Sequence, residues 1–372
     1  MLGLYVHIPF CSAICHYCNF NRGLLDEPLK QRYVRAIETH LRREGAGESV
    51  DTIFFGGGTP SLLEPAEVAS ILAACREAFV VAPEVEVTLE ANPETVTAAR
   101  LAGFREAGVN RLSFGVQSFR QDELQRLGRI HDVARARAAL ADARRVGFDN
   151  VSLDLMMWLP GQTVAQWLES VDALIDCAPD HASLYLLELY PNAPLQELMA
   201  RQQWSQTADD DAADMYELAM SRLEDGGWQP YEISNVARPG RQCRHNLKYW
   251  QDGEWLAVGV GAHGRRHGQR YRHVAATDDY VVRVEAGVDP VAERRVLSSE
   301  DQLAEALFMG LRLTGGISLS KLQRRYGVDV LARYGDALQP AQDAGLLVVD
   351  RDTMQLTRRG LLVASEVMQV FV

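Results

Sequence analysis

Positive charge is in short supply in this 372-residue chain: 38 Lys and Arg face 50 Asp and Glu, for a formal net charge of −12. A surface of that sign repels phosphate backbones and acidic headgroups, so nucleic acid and anionic membranes are excluded as primary partners. Long apolar runs are lacking too, and no stretch reaches bilayer-spanning length. The amino terminus carries no basic flank, and His7 and Pro9 interrupt its apolar run, which argues against a secretory leader and predicts a cytoplasmic protein. Cysteines number only six, at irregular spacing, which is no disulfide framework for a chain of this length. Against these absences, 47% hydrophobic content supports a sizeable core, and the length predicts one large domain with a smaller one.

What stands out is Cys11-Ser-Ala-Ile-Cys15-His-Tyr-Cys18, directly after the strand-like run Leu4-Tyr-Val-His-Ile-Pro9. Three thiols spaced C-x3-C-x2-C in one tight loop can converge on a metal centre, because thiolates are soft ligands that favour iron–sulfur clusters and zinc. Zinc fingers space their ligands as two pairs around a longer insert. A closed [4Fe–4S] site takes four cysteines, and the fourth candidate, Cys75, lies far along the chain on a helical face. Three thiolates would leave one iron open, and an open position is where a metal site does chemistry.

Strand and helix patterns alternate from the start. Strands are predicted at Leu2–Pro9, Val50–Phe55, Glu84–Glu90, Asn110–Val116, Asn150–Met156 and His181–Tyr190, with helical stripes between them, such as Tyr33, Val34, Ile37 and Leu41. Six βα units in a row predict an α/β fold, a partial (β/α)6 barrel, with an open doubly wound sheet as the alternative. The cysteines follow strand one and Gly56-Gly-Gly-Thr59-Pro60 follows strand two; Glu90 ends strand three, Gln117 follows strand four, and Asp154 lies late in strand five. The C-terminal ends of barrel strands converge on one site, so these residues describe a mouth. The expected division is a barrel over residues 1–235, a connecting segment over 236–295, and a C-terminal module over 296–372. In that module Ser299 and Gln302 have capping-box spacing, and helices followed by a β-pair and a last helix, Arg359–Gln369, resemble a winged-helix unit. With this acidity it reads as a packing or partner module, with no nucleic acid.

An open cluster iron needs a ligand, and a [4Fe–4S] cluster joined to S-adenosylmethionine is a known route to radical chemistry. Glycines 56–58 permit close backbone approach. Glu90 or Asp154 could accept hydrogen bonds from ribose hydroxyls, while Arg129 and Gln117 could hold the methionine carboxylate and the adenosyl group.

Cys11–Cys18, Gly56-Gly-Gly-Thr59-Pro60, Glu90-Ala-Asn-Pro93, Phe114-Gly-Val-Gln117-Ser and Leu127-Gly-Arg129-Ile-His131 resemble the radical SAM superfamily. More narrowly, they resemble the branch containing oxygen-independent coproporphyrinogen III oxidase and the HemW heme chaperones. The resemblance implies that Cys11, Cys15 and Cys18 hold the cluster, and that Tyr5, Gly57, Gly58, Thr59, Glu90, Gln117, Arg129 and Asp154 contact S-adenosylmethionine. Tyr17 stands where the oxidase branch places an aromatic residue beside a second S-adenosylmethionine.

Two features favour the HemW side. The chain opens directly on the strand before the cysteines, and His245-Asn-Leu-Lys-Tyr249-Trp250 resembles the H-N-x-x-Y-W signature of that group. The resemblance then implies heme as bound cargo, respiratory apoproteins (some of them membrane-associated) as acceptors, and an electron donor such as a flavodoxin; a homodimer is left open. His245 and Trp250 become candidate heme contacts, since a neutral imidazole is a good axial ligand. Cys243 and His263 are rival ligands, and the alternative is that His245 and Trp250 plug the end of the barrel. A radical enzyme, acting on a porphyrinogen or transferring methyl groups with two S-adenosylmethionine molecules, is the competing expectation. Departures from the family pattern are Trp158, where a glycine is usual and where added bulk is expected to narrow or reshape the cavity, and Asn19, where Asp is usual.

Overall fold

The computed structural model describes residues 1–45, 47–191 and 193–372. The first strand, β1 (Leu2–Ile8), runs into a two-residue ladder of β2 (Phe10–Cys11) with β3 (Gly23–Leu24) that closes the cysteine loop at its base. The remaining barrel strands are β4 (Ser49–Gly57), β5 (Val80–Ala91), β6 (Arg111–Gln117), β7 (Val151–Met157) and β8 (His181–Leu186). They are rich in β-branched and aromatic residues and largely buried, as parallel strands covered by helices are. Each pairs in parallel with the next, in the order β1-β4-β5-β6-β7-β8. The order never reverses, so there is no topological switch point and the doubly wound alternative falls.

Helices α1 (Glu27–Glu44), α2 (Pro65–Ala78), α3 (Ala98–Ala107), α4 (Gln121–Arg126), α5 (Val133–Arg145) and α6 (Val164–Cys177) cover the sheet. The stripe Tyr33, Val34, Ile37 and Leu41 of α1 is buried, and Asp26 caps that helix by accepting from the Leu29 N–H. Pro93–Thr95 forms a separate 3-10 turn, and Thr97 caps α3 by accepting from Arg100 N–H.

The sheet does not stop at six strands. After α7 (Pro194–Gln202) and α8 (Asp209–Asp225), β9 (Gln229–Glu232) and β10 (Asn235–Ala237) add antiparallel strands beyond β8. Next, α9 (Arg244–Trp250) leads to β11 (Trp255–Val258), which pairs in parallel with β1 on the opposite edge. From there β12 (His263–Arg266), β13 (Gln269–His273) and, past α10 (Thr277–Glu285), β14 (Val291–Val296) continue antiparallel, giving one twelve-stranded sheet. A second hydrophobic core, from Leu303 to Phe371, gathers α11 (Ser299–Gly310), β15 (Ile317–Ser318), α12 (Leu319–Tyr326), α13 (Val330–Asp343), β16 (Leu347–Asp350) and β17 (Thr353–Leu356).

Two local expectations shift there. The capping box is Ser298 with Asp301, one residue earlier than Ser299 with Gln302, because the carboxylate at Asp301 reaches back to the Ser298 N–H. The last helix is broken at the non-helical Val363 into α14 (Arg358–Leu362) and α15 (Ala364–Met368). Among the described residues no helix is long and apolar enough to cross a membrane.

Candidate cluster and cofactor site

The cysteine loop is held from both ends of the chain's own folding. At its base, Gly23 and Leu25 donate backbone hydrogen bonds to Pro9 and Cys11. At its tip, the His16 N–H donates to the Leu127 carbonyl (3.0 Å) and its Nδ1 to the Arg126 carbonyl (2.8 Å). The His16 ring lies against Gly128, where a Cβ would meet it at 2.9 Å. This explains the Leu127-Gly-Arg129 motif: the glycine admits the histidine, and Arg129 then reaches the Cys15 thiol. Its Nη1 lies 3.3 Å from Cys15 Sγ, and its Nη2 donates to Asn92 Oδ1 and to the Gly115 carbonyl, both at 2.7 Å.

Cys11, Cys15 and Cys18 all line one cavity of about 410 Å³ at the C-terminal ends of the strands. Gly57, Gly58, Thr59, Glu90, Gln117, Arg129, Asp154 and Tyr17 line the same cavity, so the structure brings together nearly all of the residues expected to form the mouth. Phe20, Met156, Leu186 and Leu187 form its apolar wall, with Phe20 67% exposed at the rim. Tyr17 packs partly buried beside Leu127 and Met156.

Each polar group has a physical reason for its state. Gly57 adopts φ +112°, and a Cβ there would sit 2.5 Å from the His7 ring, so only glycine fits. Its N–H donates to Glu90 Oε2 at 3.1 Å. Burial, followed by the charge of Asp154, lifts the Glu90 pKa to about 8. Burial raises the Asp154 pKa too, against hydroxyl donors that include Ser113 Oγ at 3.1 Å. Gln117 holds φ +71°, and its Oε1 is buried with no partner.

The donor set fits the groups expected here. Three free thiols share one cavity wall with a guanidinium that offsets thiolate charge at Cys15 and a hydroxyl that donates to Cys11. Among the described residues no three His, Cys, Asp or Glu side chains close on a single-ion geometry; a cubane instead spreads its thiolates over separate irons. Beside them, the unpartnered Gln117 carbonyl is an acceptor suited to an exocyclic amine.

Tyr5 lines a smaller adjoining cavity of about 180 Å³, which shares Glu90, Ser113 and Asp154 with the larger one and also holds Arg111, His245 and Tyr249; its hydroxyl lies 3.1 Å from His7 Nδ1. One expectation is corrected. Trp158 does not narrow the mouth. At φ +64° it is absent from the cavity wall, and its indole N–H donates to the Thr207 carbonyl at 2.7 Å.

The heme contacts expected at His245 and Trp250 meet an arrangement of another kind. His245 is 1% exposed, stacked on Phe54, with Nδ1 at 2.9 Å from Thr52 Oγ1 and Nε2 at 2.9 Å from Tyr249 Oη. Burial, then the charge of Lys248, lowers its pKa to about 3. Neither ring nitrogen is free for iron. Trp250 is half-buried under the Arg312 guanidinium, 4.5 Å from its ring centre, against the C-terminal core. Cys243 is fully buried, with its thiol pKa pushed up to about 12 by burial; His263 is exposed on β12. His245 thus fills the end of the barrel while Trp250 sides with Arg312, and the helix that carries both is seated by Glu86, which accepts the Arg244 and His245 N–H groups at 3.1 Å each.

Two residues carry more than their sequence context suggested. Asn92 joins Arg129 to Thr59, and Arg111 is a guanidinium only 2% exposed inside the barrel. A charged residue heading the strand run Arg111-Leu-Ser-Phe was the available signal for the second.

Comparison with known proteins agrees with this geometry. The radical SAM superfamily profile matches residues 5–174, and the HemN C-terminal domain profile residues 297–363. The chain is 34% identical over 375 residues to the heme chaperone HemW of Bacillus subtilis, covering 100% of this chain and 99% of the relative. It is 36% identical to heme chaperone HemW of Mycobacterium tuberculosis, over 99% of this chain and 94% of that one. The bovine radical S-adenosyl methionine domain-containing protein 1, mitochondrial, is 39% identical, over 98% and 86% of the two chains. The solved structure of coproporphyrinogen III oxidase (HemN) from Escherichia coli, at 23% identity, superposes with a TM-score of 0.87 over 100% of this chain and 89% of that one, sharing the fold. A three-cysteine loop at the mouth of a partial barrel, a HemN-type C-terminal module and full-length similarity to heme chaperones place this chain in the radical SAM superfamily, in its HemW branch.

Proposed function

We propose that this chain is a heme chaperone on a radical SAM frame. Cys11, Cys15 and Cys18 hold a [4Fe–4S] cluster, and the cavity beside them takes S-adenosylmethionine. The observation that carries the reading is full-length similarity to HemW proteins, with all three thiols on one cavity wall.

The residues divide the work by chemistry. Glycines 57 and 58 let the cofactor's amino acid end approach the backbone, Arg129 supplies the charge for its carboxylate, and Gln117 Oε1 accepts from the adenine amine. Asp154 and Glu90 face the same space as acceptors for ribose hydroxyls. The cluster, when bound, supplies an electron and an open iron for the cofactor's chelating groups. The apolar rim at Phe20 and Leu186 supports uptake of a flat apolar ligand from that side, with respiratory apoproteins as the acceptors of heme.

The test is an anaerobic heme titration of cluster-reconstituted protein followed by absorption. Saturable binding near one heme per chain is expected. Absence of saturable binding, together with 5′-deoxyadenosine or S-adenosylhomocysteine released in the presence of a porphyrinogen or methyl acceptor, would overturn the chaperone reading in favour of a radical enzyme.

A further inference from the structure

Four hydrogen bonds join two of the three cluster thiols through side chains alone. Arg129 Nη1 lies 3.3 Å from Cys15 Sγ, and its Nη2 donates to Asn92 Oδ1 at 2.7 Å. Asn92 Nδ2 donates to Thr59 Oγ1 at 3.2 Å, and the Thr59 hydroxyl points at Cys11 Sγ, 3.6 Å away. The directions follow from the donor inventory. A guanidinium only donates, so the Asn92 oxygen must face Arg129 and its NH2 must face Thr59. The Thr59 oxygen is then an acceptor, which leaves its single O–H for Cys11.

We propose that Arg129, Asn92 and Thr59 form a donor belt that sets the reduction potential of the cluster, with Asn92 as its positioning residue. This rests on the reading of Cys11, Cys15 and Cys18 as cluster ligands. Every dipole in the belt points its positive end toward sulfur. Hydrogen bonds to cluster thiolates withdraw electron density and stabilise the reduced, more negative form, so they raise the potential. Successive aligned bonds polarise one another, and Thr59 is only 2% exposed, so solvent does little to screen the effect. Asn92 touches no thiol itself: it acts by choosing which way the Thr59 hydroxyl turns.

The experiment is an EPR-monitored redox titration of the reconstituted full-length chain without S-adenosylmethionine, with iron and sulfide content measured first. Thr59→Val removes the hydroxyl at nearly constant shape, and Thr59→Ser restores it. Asn92→Asp offers oxygens on both sides, so the Thr59 hydroxyl turns from Cys11 to the carboxylate. Thr59→Val and Asn92→Asp are each expected to shift the midpoint to more negative potential at wild-type cluster content, with Thr59→Ser near wild type. Unchanged midpoints in both variants overturn the belt. So does failure of both to assemble a cluster, since the three residues would then be scaffolding. A wild-type chain that takes up no cluster is a different failure and removes the proposed function itself.

Discussion

The His245 imidazole and the Thr52 hydroxyl share a 2.9 Å hydrogen bond inside the barrel, at the strand ends remote from the cysteines. With Tyr249 on the other nitrogen and Phe54 beneath, the ring is part of the barrel's floor. His245→Ala should therefore cost roughly 2–4 kcal/mol of stability, through a cavity and two orphaned hydroxyls. Heme stoichiometry should survive when measured well below the lowered melting temperature. A full loss of heme binding in a folded His245→Ala protein would show that the histidine leaves the floor to meet iron.

Substituting any of Cys11, Cys15 or Cys18 by Ala should abolish the brown colour and the iron and sulfide content after reconstitution. Cys15 and Cys18 are half-buried, so the fold itself should persist by circular dichroism. Cys75→Ser gives the opposite pattern. That thiol is fully buried in the main core, so the change should cost about 1–3 kcal/mol while cluster content stays at the wild-type level.

Gly57→Ala places a methyl group 2.5 Å from the His7 ring at a φ of +112°. A cost of roughly 1–3 kcal/mol follows from backbone strain, before the collision is added. Because Gly57 also donates to Glu90, S-adenosylmethionine affinity measured by calorimetry should fall more than stability alone explains. Equal affinity would remove the glycines from the cofactor site.

Glu90 gives the apo-protein a pH dependence with a definite sign. Its folded pKa of about 8 stands above the ordinary 4.5, so between those values the folded chain keeps a proton that the unfolded chain has released. Stability should fall as pH rises through that window. Glu90→Gln removes the titration, and the difference in melting temperature between about pH 6 and about pH 9 should shrink. A slope unchanged by the substitution would assign the dependence to other groups.

The C-terminal core is tied to the sheet through Arg312, whose Nη2 lies 3.0 Å from the fully buried Glu232 carboxylate. Arg312→Ala leaves that carboxylate without its cation. A loss of about 2–3 kcal/mol is expected, below the range for a fully buried pair because the guanidinium is 25% exposed. Chemical denaturation should show it, and Trp250, under the same guanidinium, should report it as a change in fluorescence.

Much of the site was legible in the chain. Parallel strands covered on both faces are apolar along their length, so Glu90, Gln117 and Asp154 stood out as polar residues in or after such runs. Trp158 was read for its bulk alone. Its direction comes from a left-handed backbone and a bond to Thr207, neither of which leaves a local signal. The pairing of β11 with β1 joins segments some 250 residues apart, and no periodicity within either strand encodes its partner.

The three-cysteine loop, the run of βα units and the polar residues at the strand ends were all legible in the chain itself. These are carried by spacing and residue type over a few positions. That the His245 helix closes the end of the barrel, that Tyr5 lines the smaller adjoining cavity, and that Asn92 links Arg129 to Thr59 emerges only in the folded chain. Those outcomes depend on which buried donors and acceptors meet across distant strands, and an unpaired polar group inside a barrel costs too much to be left where local preference would put it.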